Sequence, residues 1–263
     1  MQKQSLKQRF SNPTMLSCGG YGKVFRAFDN KYDEQVVIKI VQKKMSRMNK
    51  KHSIPYEVYL LKKLTSVEGV VKLRDFLKTR NKFIYIFNSC QDEVDFFEYM
   101  NMKNVLSEEE VKRHVRNLLN ILIEVEAKGC YHCDLKEENI LINLKTKELK
   151  LIDFGSGKYC GEPSYEIKDC NTTLIYAAPE YFMDESYRGG KFSVWQIGII
   201  VYQLLHGYVP FTKVSDIIHS DFLIKNSDLS ESVEKFLSIC LKKSPLERPE
   251  LSDLLLTEFL LKN

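Results

Sequence analysis

Apolar residues recur along this chain with two different periods, and the change of period divides it. Near the front, residues 36–41 (Val36, Val37, Ile38, Lys39, Ile40, Val41) and 83–87 (Phe83, Ile84, Tyr85, Ile86, Phe87) are short runs rich in β-branched and aromatic side chains, the composition of strands. Between them Val58, Leu61 and Leu64 recur at helical spacing and Pro55 stands near a helix start, so residues 54–64 read as a helix. Further on, the helical period takes over. Ser107, with Glu110 three residues later, has the form of a capping box, and Val111, Val115, Leu118, Leu119, Leu122 and Val125 continue one apolar face. Residues 193–207 are apolar nearly throughout, including Trp195, Ile197, Ile199, Ile200, Val201, Leu204 and Leu205, which suits a helix buried inside a globular lobe. A β-rich front and an α-rich back, joined by the polar residues Asn88, Ser89, Cys90, Gln91 and Asp92, predict an α+β chain of two lobes and a hinge: 1–87, 88–92 and 93–263.

Composition changes this picture little. The chain has 263 residues, 44% hydrophobic and 28% charged, enough apolar surface for a sizeable core. A net charge of +4 gives no argument for a nucleic-acid partner, and the densest basic stretch, 43–51, reads as solvated surface. No apolar run reaches the length of a membrane span, the first residues lack a signal peptide's apolar segment, and neither end carries a lipidation motif, so no membrane partner is expected. Seven scattered cysteines suit reduced thiols in the cytoplasm or nucleus. Cys130-Tyr131-His132-Cys133 lacks the second ligand pair that a zinc site needs.

The chemistry gathers in His132-Cys133-Asp134-Leu135-Lys136-Glu137-Glu138-Asn139 and, shortly after, Asp153-Phe154-Gly155. One carboxylate, Asp134, can orient a hydroxyl; Lys136 can balance phosphate charge; Asn139 and Asp153 supply hard oxygens for Mg²⁺. Upstream, Gly19, Gly20 and Gly22 in Ser17-Cys18-Gly19-Gly20-Tyr21-Gly22-Lys23-Val24 let backbone N–H groups approach phosphate oxygens. Lys39, inward on an apolar strand, needs anionic partners, and Glu57 on the following helix is one.

These motifs, in this order and spacing, resemble those of eukaryotic-type protein kinases over essentially the whole chain, and most resemble the PIM family of serine/threonine kinases. The likeness rests on 55–64, 134–143 and 148–157, and on Ser193 before Val194-Trp195, where most kinases carry Asp. It implies one bilobal kinase domain, 1–263, with a small β-rich N-lobe holding one main helix and a larger α-helical C-lobe. It implies catalysis by Lys39, Glu57, Asp134 and Lys136, and Mg²⁺ held by Asn139 and Asp153. Ala178-Pro179-Glu180 and Arg248 also match motif positions of the family, a resemblance that implies a structural ion pair between Glu180 and Arg248. ATP would be held by Gly19, Gly20, Gly22, Val24, Val37, Lys39, Phe87, Asn88, Cys90 and Asp95. Glu98, Glu137, Glu138 and Thr173 would meet the substrate, the acids selecting serine or threonine near basic residues. The reading is a monomer acting on protein substrates in the cytoplasm, or the nucleus as well. Four departures stand out: Ser17 for the first loop glycine, Cys90 for a hinge proline, Cys133 for the arginine that receives an activation-loop phosphate, and Asn171-Thr172 before Thr173. Cys133 implies activity without loop phosphorylation. A pseudokinase, an ATP-binding scaffold acting by contact, is the alternative; the presence of Lys39, Glu57, Asp134, Asn139 and Asp153 weighs for the enzyme.

Overall fold

Alternating side chains on residues 34–42 organise the first half of the fold. Strand β3 (Glu34–Gln42) is central in a five-stranded antiparallel sheet with β1 (Phe10–Gly19), β2 (Gly22–Asp29), β4 (Leu73–Lys78) and β5 (Lys82–Asn88), in the order β1-β2-β3-β5-β4. This computed structural model describes residues 6–19, 22–89, 92–161, 171–183, 189–221 and 229–261; Gly20 and Cys90, two of the expected nucleotide contacts, lie outside them. Two units separate by their contacts: Met1–Ser66 with Val70–Glu93, and Val67–Gly69 with Val94–Asn263.

In the first unit the two-residue period turns Val36 and Ile38 toward Ala27, Ile84 and Ile86, with Phe10, Ile40 and Leu77 packed around them. Val37, Lys39 and Val41 therefore face the other way. Helix α1 (Tyr56–Lys63) falls inside the expected 54–64, with Pro55 as its extended N-cap at φ −55°. It buries Tyr56, Glu57, Val58, Leu60 and Leu61. Arg9, just before β1, pairs with Asp29 and Asp75, each at 2.9 Å. Burial alone would raise the Asp29 carboxyl, but Arg9 holds it below the usual carboxylate range.

The second unit is built on helices α2 (Phe96–Lys103), α3 (Glu108–Ala127), α4 (Gly189–His206) and α5 (Glu231–Cys240). The expected capping box forms: the Glu110 N–H donates to Ser107 Oγ at 3.3 Å, and the Ser107 N–H donates to Glu110 Oε2 at 3.2 Å. Helix α4 begins four residues before the expected 193, at Gly189, and is buried on every side to Leu205. It lies so close to α5 that a Cβ at Gly198 would sit 2.8 Å from that of Cys240. Two small ladders frame the loop between them. Strand β6 (Ile140–Asn143) pairs antiparallel with β7 (Leu149–Leu151), and Cys130–Tyr131 pairs with Lys158–Tyr159. No helix among the described residues is long and apolar enough to cross a membrane.

Candidate active site

Strand register gathers part of the expected nucleotide set on one sheet face of the first unit. Val24 lies opposite Lys39, Lys39 opposite Tyr85, and Val37 opposite Phe87, and residues paired across antiparallel strands share a face. Lys39 Nζ donates to both oxygens of Glu57, at 2.8 and 3.0 Å, with each side chain 8% exposed. The first turn of α1 suits Glu57, because the positive end of the helix dipole favours its charge. Gly22 holds φ at 129°, and a Cβ there would meet Ile40 O at 2.4 Å, so no other residue fits. Gly19 is exposed at the end of β1, and Asn88 is exposed at the end of β5. Asp95 caps α2, accepting the Glu98 N–H at 2.8 Å, and Glu98 itself is exposed.

In the second unit three expected residues, joined by Thr172, converge on one carboxylate. Asp134 Oδ1 accepts the Thr173 N–H at 2.7 Å and the Thr172 hydroxyl at 3.4 Å. Asp134 Oδ2 accepts Asn139 Nδ2 at 3.2 Å and lies 3.5 Å from Lys136 Nζ. Lys136 Nζ donates to Thr173 Oγ1 at 2.8 Å, tying the loop to the segment that follows residue 171. His132 positions Asp134 from below: its Nε2 lies 2.8 Å from Ile152 O and its Nδ1 accepts the Asp134 N–H at 3.3 Å. Burial pushes His132 below its ordinary value, so the ring is neutral with its proton on Nε2. Cys133 and Asp153 both take left-handed backbone, φ 65° and 61°, a strain typical of functional turns.

The donor set fits a hard divalent cation. Asn139 spends Nδ2 on Asp134 O (2.7 Å) and Asp134 Oδ2, which leaves its amide oxygen outside those bonds. The Ile152 N–H donates to Asn139 O at 3.0 Å, so Asn139 and Asp153 sit on adjacent backbone segments. An amide oxygen and a carboxylate are ligands that Mg²⁺ accepts, and two protein ligands leave positions for phosphate oxygens and water. Among the described residues no cluster of three or more His, Cys, Asp or Glu could hold a metal alone.

One expectation is corrected. Glu137 is completely buried and does not face a substrate; its Oε2 lies 2.6 Å from Tyr176 OH, and Tyr176 OH lies 2.9 Å from Gln203 Oε1. Burial pushes the Glu137 carboxyl up to about 7. Glu138, its neighbour, is exposed. Two glutamines escaped the sequence reading. Gln196 Oε1 accepts the Leu135 N–H at 3.3 Å, and its Nε2 donates to Thr172 Oγ1 at 3.4 Å. Gln196 and Gln203 are seven residues apart, hence on one face of α4, and polar residues at that interval in an otherwise apolar helix were the available signal. Away from this loop, Arg248 forms a bidentate pair with Glu180, 2.7 Å for each bond, and both side chains are fully buried.

Residues 10–260 match the family described as Protein kinase domain. Serine/threonine-protein kinase pim-2 of Danio rerio is 25% identical over 96% of this chain and 85% of its own length. Serine/threonine-protein kinase prk-2 of Caenorhabditis elegans is 29% identical over 95% of this chain, which spans 57% of that protein. Maternal embryonic leucine zipper kinase of Danio rerio is 34% identical over 74% of this chain and 29% of its own length. The chain belongs to the protein kinase domain family, and within it to the serine/threonine protein kinases. That family uses ATP and Mg²⁺.

Proposed function

We propose that this kinase transfers the terminal phosphoryl group of ATP to serine or threonine hydroxyls on protein segments rich in basic residues. The observation that carries the reading is the convergence of Asn139, Lys136 and Thr173 on the Asp134 carboxylate. Asp134 accepts a hydrogen bond from the attacking hydroxyl and aims it; Lys136 balances charge on the group in transit. Lys39, oriented by Glu57, meets nucleotide phosphate, while Val24, Val37 and Phe87 offer the adenine an apolar sheet face. Gly19, Gly20 and Gly22 give phosphate their N–H groups, Asn88 and Cys90 bond the base, and Asp95 reaches the ribose with the oxygen not used in its cap. Mg²⁺, held by Asn139 and Asp153, supplies neutralisation of phosphate charge. The exposed carboxylates Glu98 and Glu138 support a basic-substrate preference; Glu137 no longer contributes to it. Cys133 in place of an arginine supports activity without loop phosphorylation, as a monomer in the cytoplasm or nucleus.

One observation favours the second reading, an ATP-binding scaffold. Four donors of the chain itself already occupy Asp134, so a substrate hydroxyl must displace one. Transfer of ³²P from Mg²⁺-ATP to an Arg-rich serine peptide, with an acidic peptide as comparator and Asp153→Asn as control, separates the two. The enzyme reading expects transfer to the basic peptide that vanishes in the control. No transfer to any peptide, with ATP still raising the melting temperature, establishes the scaffold.

A further inference from the structure

The net charge of +4 conceals a strong asymmetry. Residues 1–93 hold 19 Lys and Arg against 8 Asp and Glu, a net of +11, while residues 94–263 hold 20 against 27, a net of −7. Internal pairs hold four of these eight acids. Asp29 and Asp75 are held by Arg9, Glu57 by Lys39, and Glu34 by Arg74. The surplus cations concentrate in two stretches without a single acid, 35–56 and 76–91.

The sheet joins those stretches. Gln42 lies opposite Lys82 in the β3/β5 ladder, the Lys43 N–H donates to Asn81 O at 3.0 Å, and Lys43 Nζ donates to Arg80 O at 2.9 Å. Lys44, Lys78, Arg80 and Lys82 are exposed around that junction, and Lys50 and Lys51 are exposed on the turn that follows. Among the described residues none of these six has a carboxylate partner. Total charge alone gave the sequence no reason to expect a partner here; the packing of two acid-free segments does.

Three features choose the partner. Five of the six cations are lysine, a hydrated point charge without the planar fork that reads bases and phosphates in a duplex. Three nearby rings are already covered: Arg47 lies 3.4 Å over Tyr56, Lys43 5.5 Å over Phe83, and Lys63 5.3 Å over Tyr59, so none of these three offers a bare platform for stacking bases. Instead two methionines stand among the cations, Met45 58% and Met48 37% exposed, flexible apolar chains able to enter a headgroup layer.

We propose that this face of the first unit is a docking surface for an anionic lipid bilayer. Each lysine or arginine near a negative leaflet strengthens binding about fivefold, so six acting together give useful peripheral affinity without a lipid anchor. This membrane association revises the expectation from sequence, and it brings the kinase to substrates at a membrane.

Cosedimentation of the full chain with vesicles tests it, comparing pure phosphatidylcholine with an equal mixture of phosphatidylcholine and phosphatidylserine. The expected result is binding to the mixture alone, weakened by salt, with the quadruple variant Lys44→Glu, Lys50→Glu, Lys51→Glu, Lys82→Glu bound about a hundredfold more weakly or worse. An unchanged melting temperature and peptide-kinase rate show that the variant is folded; should it fail to fold, Lys50→Ala and Lys51→Ala singly give graded losses of about fivefold each. Met45→Ser lowers binding by several-fold without altering its salt dependence. Equal binding to both vesicles, or quadruple-variant binding equal to wild type, overturns the proposal. So does a DNA duplex that binds tighter than the mixed vesicles and displaces them, which assigns the surface to nucleic acid.

Discussion

Two buried ion pairs, one in each unit, show how similar chemistry serves different ends. Arg248 and Glu180 are sealed from solvent, and the guanidinium is fully spent: besides the two bonds to Glu180 it donates to the carbonyls of Lys242 (2.8 Å), Lys191 (3.0 Å) and Lys243 (3.1 Å). Nothing is left over for a ligand. Lys39 and Glu57 are also buried, but each keeps 8% of its side chain exposed, so the pair is not sealed from solvent. The lesson is that a small difference in solvent access separates a structural pair from a functional one. A pair sealed from solvent holds the fold, and one that keeps an edge open can be reached by a ligand.

Substitutions that exchange the two behaviours would break this comparison. Lys39→Met should lower kcat by about a hundredfold or more. It strands Glu57, but methionine fills a similar volume and Glu57 keeps 8% of its side chain exposed, so the loss of stability should be smaller than for Arg248→Ala. Steady-state kinetics beside calorimetry check it, and a large loss of stability would make Lys39 structural. Arg248→Ala should do the reverse. It strands the buried Glu180 carboxylate and should cost about 3–5 kcal/mol in denaturant unfolding, with surviving folded protein retaining turnover.

A third buried side chain separates burial from pairing. His114 packs edge-on against Phe96 and Tyr99, and its Nε2 has no hydrogen-bond partner among the described residues. Burial, helped by Arg113, pushes it down to about 4. The unfolded chain therefore takes a proton below pH 6.5 that the folded chain refuses until about pH 4. Stability is complete above that window and falls on acidification through it, by roughly 2–3 kcal/mol from this residue. His114→Leu should flatten that part of the stability–pH curve, and an unchanged slope would remove the assignment.

The smallest expected effect concerns Thr172. Its hydroxyl, held by Gln196, occupies an acceptor position on Asp134 that a substrate hydroxyl needs. Thr172→Gly should raise kcat by a few-fold at most; a fall instead would make the threonine a support for Asp134.

Much of this was legible in the sequence, for local reasons. Ser107 with Glu110 and the helix over 56–63 depend on residues within a few positions of each other. Lys39 with Glu57 was legible from the need of an inward lysine for an anion, and Glu180 with Arg248 only through the family resemblance. What failed was long-range. Glu137 looked like a surface acid in a loop, and only Tyr176 and Gln203, 39 and 27 residues apart from their partners in that chain of contacts, make it a buried one. The Arg9 pairs likewise join residues 20 or more positions apart. Strands β1 and β4 went unread because neither contains a fully buried residue to mark its alternation.

The account rests on Asp134 as the group that orients the attacking hydroxyl. Its most direct test is single-turnover phosphoryl transfer by Asp134→Asn, a change that keeps the shape and most of the hydrogen bonds. The account predicts a loss of about a hundredfold to ten-thousandfold in the transfer step, with ATP still raising the melting temperature. Transfer at the wild-type rate would contradict it.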